Sequence, residues 1–219
     1  MTESPQNPIE RLKEVLRDLR GGRDADEALV AICGSLVNGS KDAVATCGAQ
    51  LSMFPKAHFI GHGKYHMMQE RFLQVCEELG LPAKPERHPG TSTSYAAVEH
   101  PRLRITIAKV RRYDLNPRLH PFRLVTNVKH FRPDQIPLLP ALQVALGEQL
   151  VIVIVFGYSK SDRATPAFLE ARFVGKDGIT FSEYRLDLLQ IRKDAKKPAI
   201  ESLPEKRTPT VRIKKRRNA

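Results

Sequence analysis

The residues of this 219-residue chain best suited to chemistry are basic ones, crowded into two stretches. The central basic stretch, residues 101–132, holds nine Lys and Arg side chains and one acidic residue. The C-terminal basic stretch, residues 191–219, holds eleven basic and three acidic residues, so each stretch carries a net charge of +8. Because the whole chain carries +12, the remaining residues sum to −4. Clustered cations create a local potential that attracts polyanions, so we expect DNA or RNA as the partner.

Arginine dominates the central basic stretch, and its planar fork of donors matches the oxygen atoms of phosphate. Tyr113, Phe122 and Phe131 are interleaved with the cations, which suits base stacking, although strands that alternate core rings with exposed charge give the same pattern. Burying so many unpaired cations would be prohibitive, so we expect the arginines to lie together on the surface. The expected contacts are Arg102, Arg104, Arg111, Arg112, Arg118, Arg123, Lys129 and Arg132, with Lys214, Lys215, Arg216 and Arg217 from the C-terminal basic stretch.

Two further motifs could bind a small ion. Gly61-His62-Gly63-Lys64 is expected just ahead of a helix, where backbone N–H groups could hold an anion, but the spacing is not that of a Walker motif. His62 and His66 are four residues apart and, with His58 and Cys76 nearby, leave a zinc site as an alternative to exposed histidines. We expect no resident metal.

The remaining composition indicates an intracellular protein. The three cysteines form no CxxC pair and fall on apolar helical stripes, so we expect reduced thiols that pack in a core. The longest apolar run, residues 150–156, is far shorter than the roughly 20 residues that span a bilayer. We expect a cytoplasmic protein without membrane contact, while nucleoid association and, from the basic run at 212–217, nuclear import stay open.

The elements that must position these residues begin with helices. An N-cap and proline at Asn7-Pro8 predict a first helix that ends at Gly21-Gly22. A second apolar stripe stops at Asn38-Gly39, and Ser40 is expected to cap a third short helix, so residues 26–51 suit either a helix-turn-helix or a packing hairpin. A fourth helix is predicted over residues 64–79.

The rest of the chain alternates apolar residues in the manner of strands. Prolines at 82, 85 and 89 predict a stiff, exposed link. Strands are predicted at 94–99, 103–110, 123–128 and 150–156, a helix at about 138–149, and a hairpin from 168–174 and 179–186. We therefore expect an α/β or α+β fold in which a helical N-terminal part (1–60) precedes a body with a mixed sheet flanked by helices (61–190). Residues 191–219 are expected to form a flexible, disordered tail.

Across residues 64–156, the order helix, three strands, helix, strand resembles the core of the PD-(D/E)xK nuclease family. That family implies cleavage of phosphodiesters by Mg²⁺ held on carboxylates, with a lysine that aligns the attacking water. The resemblance implies Asp114 and Lys129 as catalytic residues and Glu70 as an extra ligand, while Asn127 stands where a second acid or an amide is expected. The alternative is that Asp114 pairs with a neighbouring arginine on a solvated turn.

Three functions remain open from the sequence. Charge favours a non-enzymatic protein that binds the nucleic-acid backbone. The second possibility is a Mg²⁺-dependent nuclease, and the third is a module whose basic face docks an acidic protein.

Overall fold

The computed structural model describes residues 7–50, 56–87, 94–110, 113, 115, 149–159, 161–175 and 180–196, without the side chains of residues 48–50 and 56–59. The helices are α1 (Pro8–Leu19), α2 (Ala25–Gln50), α3 (Lys56–Glu78) and α4 (Leu188–Ala195). The strands are β1 (Ala83–Arg87), β2 (Ser94–His100), β3 (Leu103–Lys109), β4 (Leu150–Gly157), β5 (Phe168–Val174) and β6 (Phe181–Asp187). The expected α/β class, with a helical N-terminal part before a mixed sheet, is confirmed. The strand predicted at 123–128, most of the helix predicted at 138–149 and the tail from 197 onward lie outside the described residues. The expectation that the flexible tail begins at residue 191 is wrong, because residues 191–195 belong to α4, which Asp187 caps and Leu188 anchors in the core.

The six strands form one sheet in chain order, and all neighbours are antiparallel except β3 and β4. In that parallel pair Leu103 lies opposite Leu150, and Lys109 lies opposite Phe156. Parallel strands end at the same edge of a sheet and need a long crossover between them, which residues 110–149 supply. The carboxyl ends of β3 and β4 therefore lie side by side.

Alternation along the strands gives the sheet two distinct faces. The helix face carries Ile105, Ile152 and Phe173, which share one continuous core with apolar residues of all four helices. The second face carries Val153 and Val155 of β4 in its centre, flanked by buried charged residues. The expected boundary between residues 60 and 61 falls inside α3, and the N-terminal helices pack directly on the sheet.

The first helix forms as its sequence predicts. The side chain of Asn7 accepts the backbone N–H of Ile9, and Pro8 occupies the first helical turn. Gly21 and Gly22 follow the helix with positive φ angles of 64° and 89°, a conformation that glycine adopts at little cost.

The helix-turn-helix and the packing hairpin are both wrong, because α2 continues through Asn38-Gly39 without a turn. Gly39 is used for close packing instead: a Cβ atom there would lie 3.0 Å from the Met67 carbonyl oxygen of α3. Gly63 faces α2 in the same way, since its Cβ would lie 2.7 Å from the Cys47 Sγ. Both glycines let the two helices approach closely, a tertiary requirement that outweighs their local preference for turns.

Two smaller expectations are also wrong. Gly61 to Lys64 lie inside α3 rather than ahead of it, so their backbone N–H groups are engaged in the helix. Residues 83–87 form β1 rather than an exposed link, with Pro85 opposite Ala96. Proline is tolerated there because β1 is an edge strand.

The described residues contain no helix with the length and apolar character needed to cross a membrane.

Candidate functional site

Arg104 is buried on the second face, so the expectation that it lies on the surface and contacts phosphate is wrong. Its side chain is 0% exposed, and its guanidinium contacts Glu99 and Glu86, with 2.8 Å between Arg104 Nη2 and Glu86 Oε2. Tyr95 donates its hydroxyl to Glu86 and accepts from Arg104 at 3.2 Å. Burial and the bond to Glu86 raise the pKa of Tyr95 well above its usual range. Glu99 on β2 lies directly opposite Arg104 on β3. A tight turn at residues 101–102 predicts this pairing, because it places His100 opposite Leu103 and Glu99 opposite Arg104.

Arg102 lies on the surface, but away from the other described cations of the stretch. Its side chain is 49% exposed, and Nη1 lies 2.9 Å from Asp18 Oδ2 of α1. It precedes β3, whereas Lys109 ends that strand, so the two lie at opposite edges of the sheet. The structure therefore does not gather Arg102, Arg104 and Lys109 on one surface.

The other predicted site residues lie outside the described residues, with one exception. Those outside are Arg111, Arg112, Asp114, Arg118, Arg123, Lys129, Arg132, Lys214, Lys215, Arg216 and Arg217. Glu70 is exposed on α3, on the helix side of the sheet. Tyr113 and Leu115, which flank Asp114, lie on the second face, so the sheet separates them from Glu70. Within the described ranges no three ligating side chains form a metal cluster.

Arg172 of β5 forms hydrogen bonds with residues 113 and 115, which follow β3 in the chain. Its guanidinium donates to the carbonyl oxygens of Tyr113 at 2.6 Å and Leu115 at 2.7 Å. The same group pairs with Glu170 at 3.0 Å and is buried. A buried guanidinium with a carboxylate and two carbonyl acceptors is well satisfied, so it holds these two residues against the second face.

The contacts of Arg172 leave the Tyr113 ring exposed on the second face of the sheet. The residue is 54% exposed, and its ring forms an edge-to-face contact with the ring of Phe168, with 5.5 Å between the centroids. The guanidinium carbon of Arg185, on β6, lies 5.6 Å from the ring centroid. The second face thus presents a supported aromatic ring beside arginine, the combination on which nucleic-acid bases stack.

A second group of polar residues lies at the carboxyl ends of β3 and β4, on the helix side. Tyr158 follows β4, and its ring lies 4.0 Å from Lys64 Nζ of α3 and 5.8 Å from Lys109 Nζ at the end of β3. Lys64 is only 4% exposed, and the Asp162 carboxylate is the described acidic group that acts on its charge. We call the region between Lys64, Lys109, Tyr158 and residues 161–165 the β3–β4 cleft.

The loop that closes the β3–β4 cleft is held to the helices by Ser40. The Ser40 hydroxyl donates to the Ala164 carbonyl at 2.7 Å and lies 2.9 Å from the Tyr158 hydroxyl. Ser40 is therefore a buried tether within α2 rather than the helix cap that its sequence context predicts. Burial raises the pKa of Tyr158 to about 12, so its hydroxyl stays protonated at neutral pH.

Charges around the β3–β4 cleft are mostly positive. Burial lowers the pKa of Lys64, and the nearby charges of Lys109 and Arg163 lower it further, while Asp162 opposes them. Asp162 accepts the backbone N–H groups of Ala164 and Thr165, which lower the pKa of its carboxyl group. The site can therefore attract an anion.

The connections after β3 and β4 leave the sheet on opposite sides. After β3 the chain reaches the second face, where Arg172 holds Tyr113, whereas the loop after β4 reaches Ser40 on the helix side. In open α/β sheets, ligands bind at the carboxyl ends of parallel strands where successive connections diverge in this way. The chain matched no protein-family model, no curated protein and no solved structure.

Proposed function

We propose that the protein is a non-enzymatic, cytoplasmic nucleic-acid-binding protein that contacts the phosphate backbone of single-stranded DNA or RNA. Residues 111–132 hold six basic residues and one acidic residue, and the C-terminal basic stretch adds a net charge of +8. These cations supply affinity that depends on salt and not on sequence. Arg104 is not among the contacts, because its charge is neutralised inside the protein.

The exposed Tyr113 ring beside Arg185 supports this proposal more than any other observation. Phe168, Arg172 and Arg185 hold the ring in place, with the guanidinium carbon of Arg172 5.9 Å from its centroid, and more than half of the residue stays exposed to a base. Its position two residues after Arg111, at the start of the basic residues, would let a base stack on the ring while arginines meet the adjoining phosphates. We therefore expect single strands, whose bases are free to stack, to bind better than duplexes.

Replacing Tyr113 tests the proposal. Tyr113→Ala should weaken binding to a single-stranded oligonucleotide roughly 5- to 150-fold, the equivalent of about 1–3 kcal/mol for one stacked base. The slope of affinity against salt should not change, because no charge is removed. Fluorescence anisotropy over a range of salt concentrations measures both quantities.

Tyr184→Ala is the matched control. Tyr184 is 40% exposed on β6, but it alternates with Arg185 and therefore lies on the other side of that strand. Its replacement should leave binding unchanged. Equal binding by Tyr113→Ala and the unaltered protein would refute the stacking role, and cleavage of the probe in Mg²⁺ that Asp114→Ala abolishes would establish the nuclease instead.

A further inference from the structure

We propose that the β3–β4 cleft is a binding site for a phosphate monoester group. This site lies on the helix side of the sheet, whereas Tyr113 lies on the second face, so the inference does not rest on nucleic-acid binding. Its ligand could be the terminal phosphate of a nucleic-acid strand or a free monoester. Both offer the same chemical group to the cleft.

Lys64 provides the first reason. The residue is 4% exposed, and its ammonium lies over the face of the Tyr158 ring, 4.0 Å from the centroid. An aromatic ring stabilises a cation only in part, and here the charges of Lys109 and Arg163 oppose the ammonium while Asp162 is the carboxylate that favours it. A methionine would fill the same space without that cost, so a lysine here indicates that an anion completes the site.

The charge balance of the cleft indicates the class of anion. Among the described residues, Lys109 and Arg163 add to the positive charge of Lys64 and Asp162 opposes it, so these four residues carry a net charge of +2 when all are ionised. Asp162 is already engaged by two backbone N–H groups of its own loop. A phosphate monoester carries a charge of about −1.5 to −2 at pH 7, whereas a diester carries a single negative charge. The monoester is therefore the better match.

The surroundings provide preorganised walls for such a group. The Tyr158 ring packs edge-on against buried Phe156, with 5.9 Å between ring centroids. Ser40 fixes the loop at Ala164, and Ser159 accepts the backbone N–H of Asp162 at 2.9 Å. Both lysines therefore lie beside a rigid ring and a hydrogen-bonded loop, so little ordering is needed when an anion binds.

Calorimetric titration with phenyl phosphate tests the inference directly, because this probe carries a monoester and no nucleic-acid base. The full-length protein should bind phenyl phosphate more tightly than diphenyl phosphate. Lys64→Met, which keeps the aliphatic stem over Tyr158, should weaken phenyl phosphate binding by at least about tenfold, and Lys109→Met should weaken it less because its side chain is exposed. Lys84→Met, which removes one exposed charge from β1, should leave it unchanged.

A stability measurement separates a ligand-binding lysine from a structural one. Because the pKa of Lys64 is lowered in the folded protein, its charge destabilises the native state at neutral pH, and this cost is relieved as pH rises towards 10.5. Lys64→Met should therefore melt at a higher temperature than the unaltered protein at pH 7 without phosphate, with the difference shrinking at high pH. A variant that melts lower at pH 7 would assign Lys64 a structural role and overturn the inference.

Paired oligonucleotides distinguish the two sources of the group. If strand ends are the ligand, a 5′-phosphorylated strand should bind more tightly than its 5′-hydroxyl counterpart, and Lys64→Met should abolish that difference. If the two strands bind equally while phenyl phosphate still binds, the ligand is a free monoester. Failure of phenyl phosphate to bind, or equal binding of the diester, overturns the inference whatever the oligonucleotides show.

Discussion

Arg104 and Arg172 show how the second face of the sheet accommodates charge. Each guanidinium is buried, and each contacts at least one carboxylate, Glu86 and Glu99 for the first and Glu170 for the second. A buried ion pair contributes little net stability. Removing one of its partners lowers the free energy of unfolding much more, because the remaining charge is left in a medium that solvates it poorly.

Arg104→Met should therefore be strongly destabilising. The substitution removes the internal cation that Glu86 and Glu99 share, and we expect a loss of about 3–5 kcal/mol in the free energy of unfolding at pH 7. Repulsion should raise the pKa of these carboxyl groups, so the loss should shrink as pH falls and they become neutral. Urea unfolding at pH 7 and pH 5 measures both effects.

Arg102→Met is the control for that experiment. The Arg102–Asp18 pair is exposed, and such pairs contribute about 0–1 kcal/mol. A loss for Arg104→Met no larger than that for Arg102→Met would show that the internal pairs do not form as described.

Part of this site could be predicted from single residues and part could not. Net charge draws attention to residues 101–132, but counting arginines treats each of them as a surface residue. Arg104 differs because its cross-strand neighbour is Glu99 and because both side chains lie on a buried face, which depends on the register of the sheet. Lys64 could not be predicted as a site residue from the sequence, because its burial depends on Tyr158, 94 residues away in the chain.

At the scale of elements, the helical pair α2–α3 depends on glycines that local reasoning assigns to turns. A Cβ at Gly39 would meet the backbone of Met67, whereas one at Gly61 would meet nothing within 4 Å. The same substitution should therefore have opposite effects at the two positions.

Gly39→Ala should destabilise the protein by about 1–3 kcal/mol, because the two helices must move apart. Gly61→Ala should stabilise it by about 0.5–1 kcal/mol, since alanine is the better helix former and space is free. Thermal unfolding of the two variants decides the matter, and a stabilising Gly39→Ala would mean that α2 and α3 do not pack through this glycine.

These glycines also show why elements were predicted better than their boundaries. The periodicity of α1 and the continuous apolar run of β4 reflect burial that each segment's own sequence encodes. The length of α2 is instead set by its contact with α3, and β1 forms because β2 offers it an edge. Both depend on partners distant in sequence, which a local pattern does not record.

At the scale of the whole molecule, the described helices share one core with the sheet, whereas the strongest positive charge of the sequence falls in residues 111–132 and 197–219. Leu188 of α4 is fully buried in the core, so a truncation that spares the fold must end after α4. Residues 197–219 hold eight basic and two acidic residues. Ending the chain at Lys196 should leave the melting temperature unchanged while it weakens nucleic-acid binding and flattens its dependence on salt.

The claim that the clustered cations bind nucleic acid is best tested by the affinity of the full chain for a single-stranded oligonucleotide at a series of salt concentrations. If the clustered cations neutralise at least about four phosphates, the logarithm of the association constant should fall linearly with the logarithm of salt concentration, with a slope of about −3 or steeper. No binding to DNA or RNA at low salt, or an affinity that salt does not change, would contradict the claim.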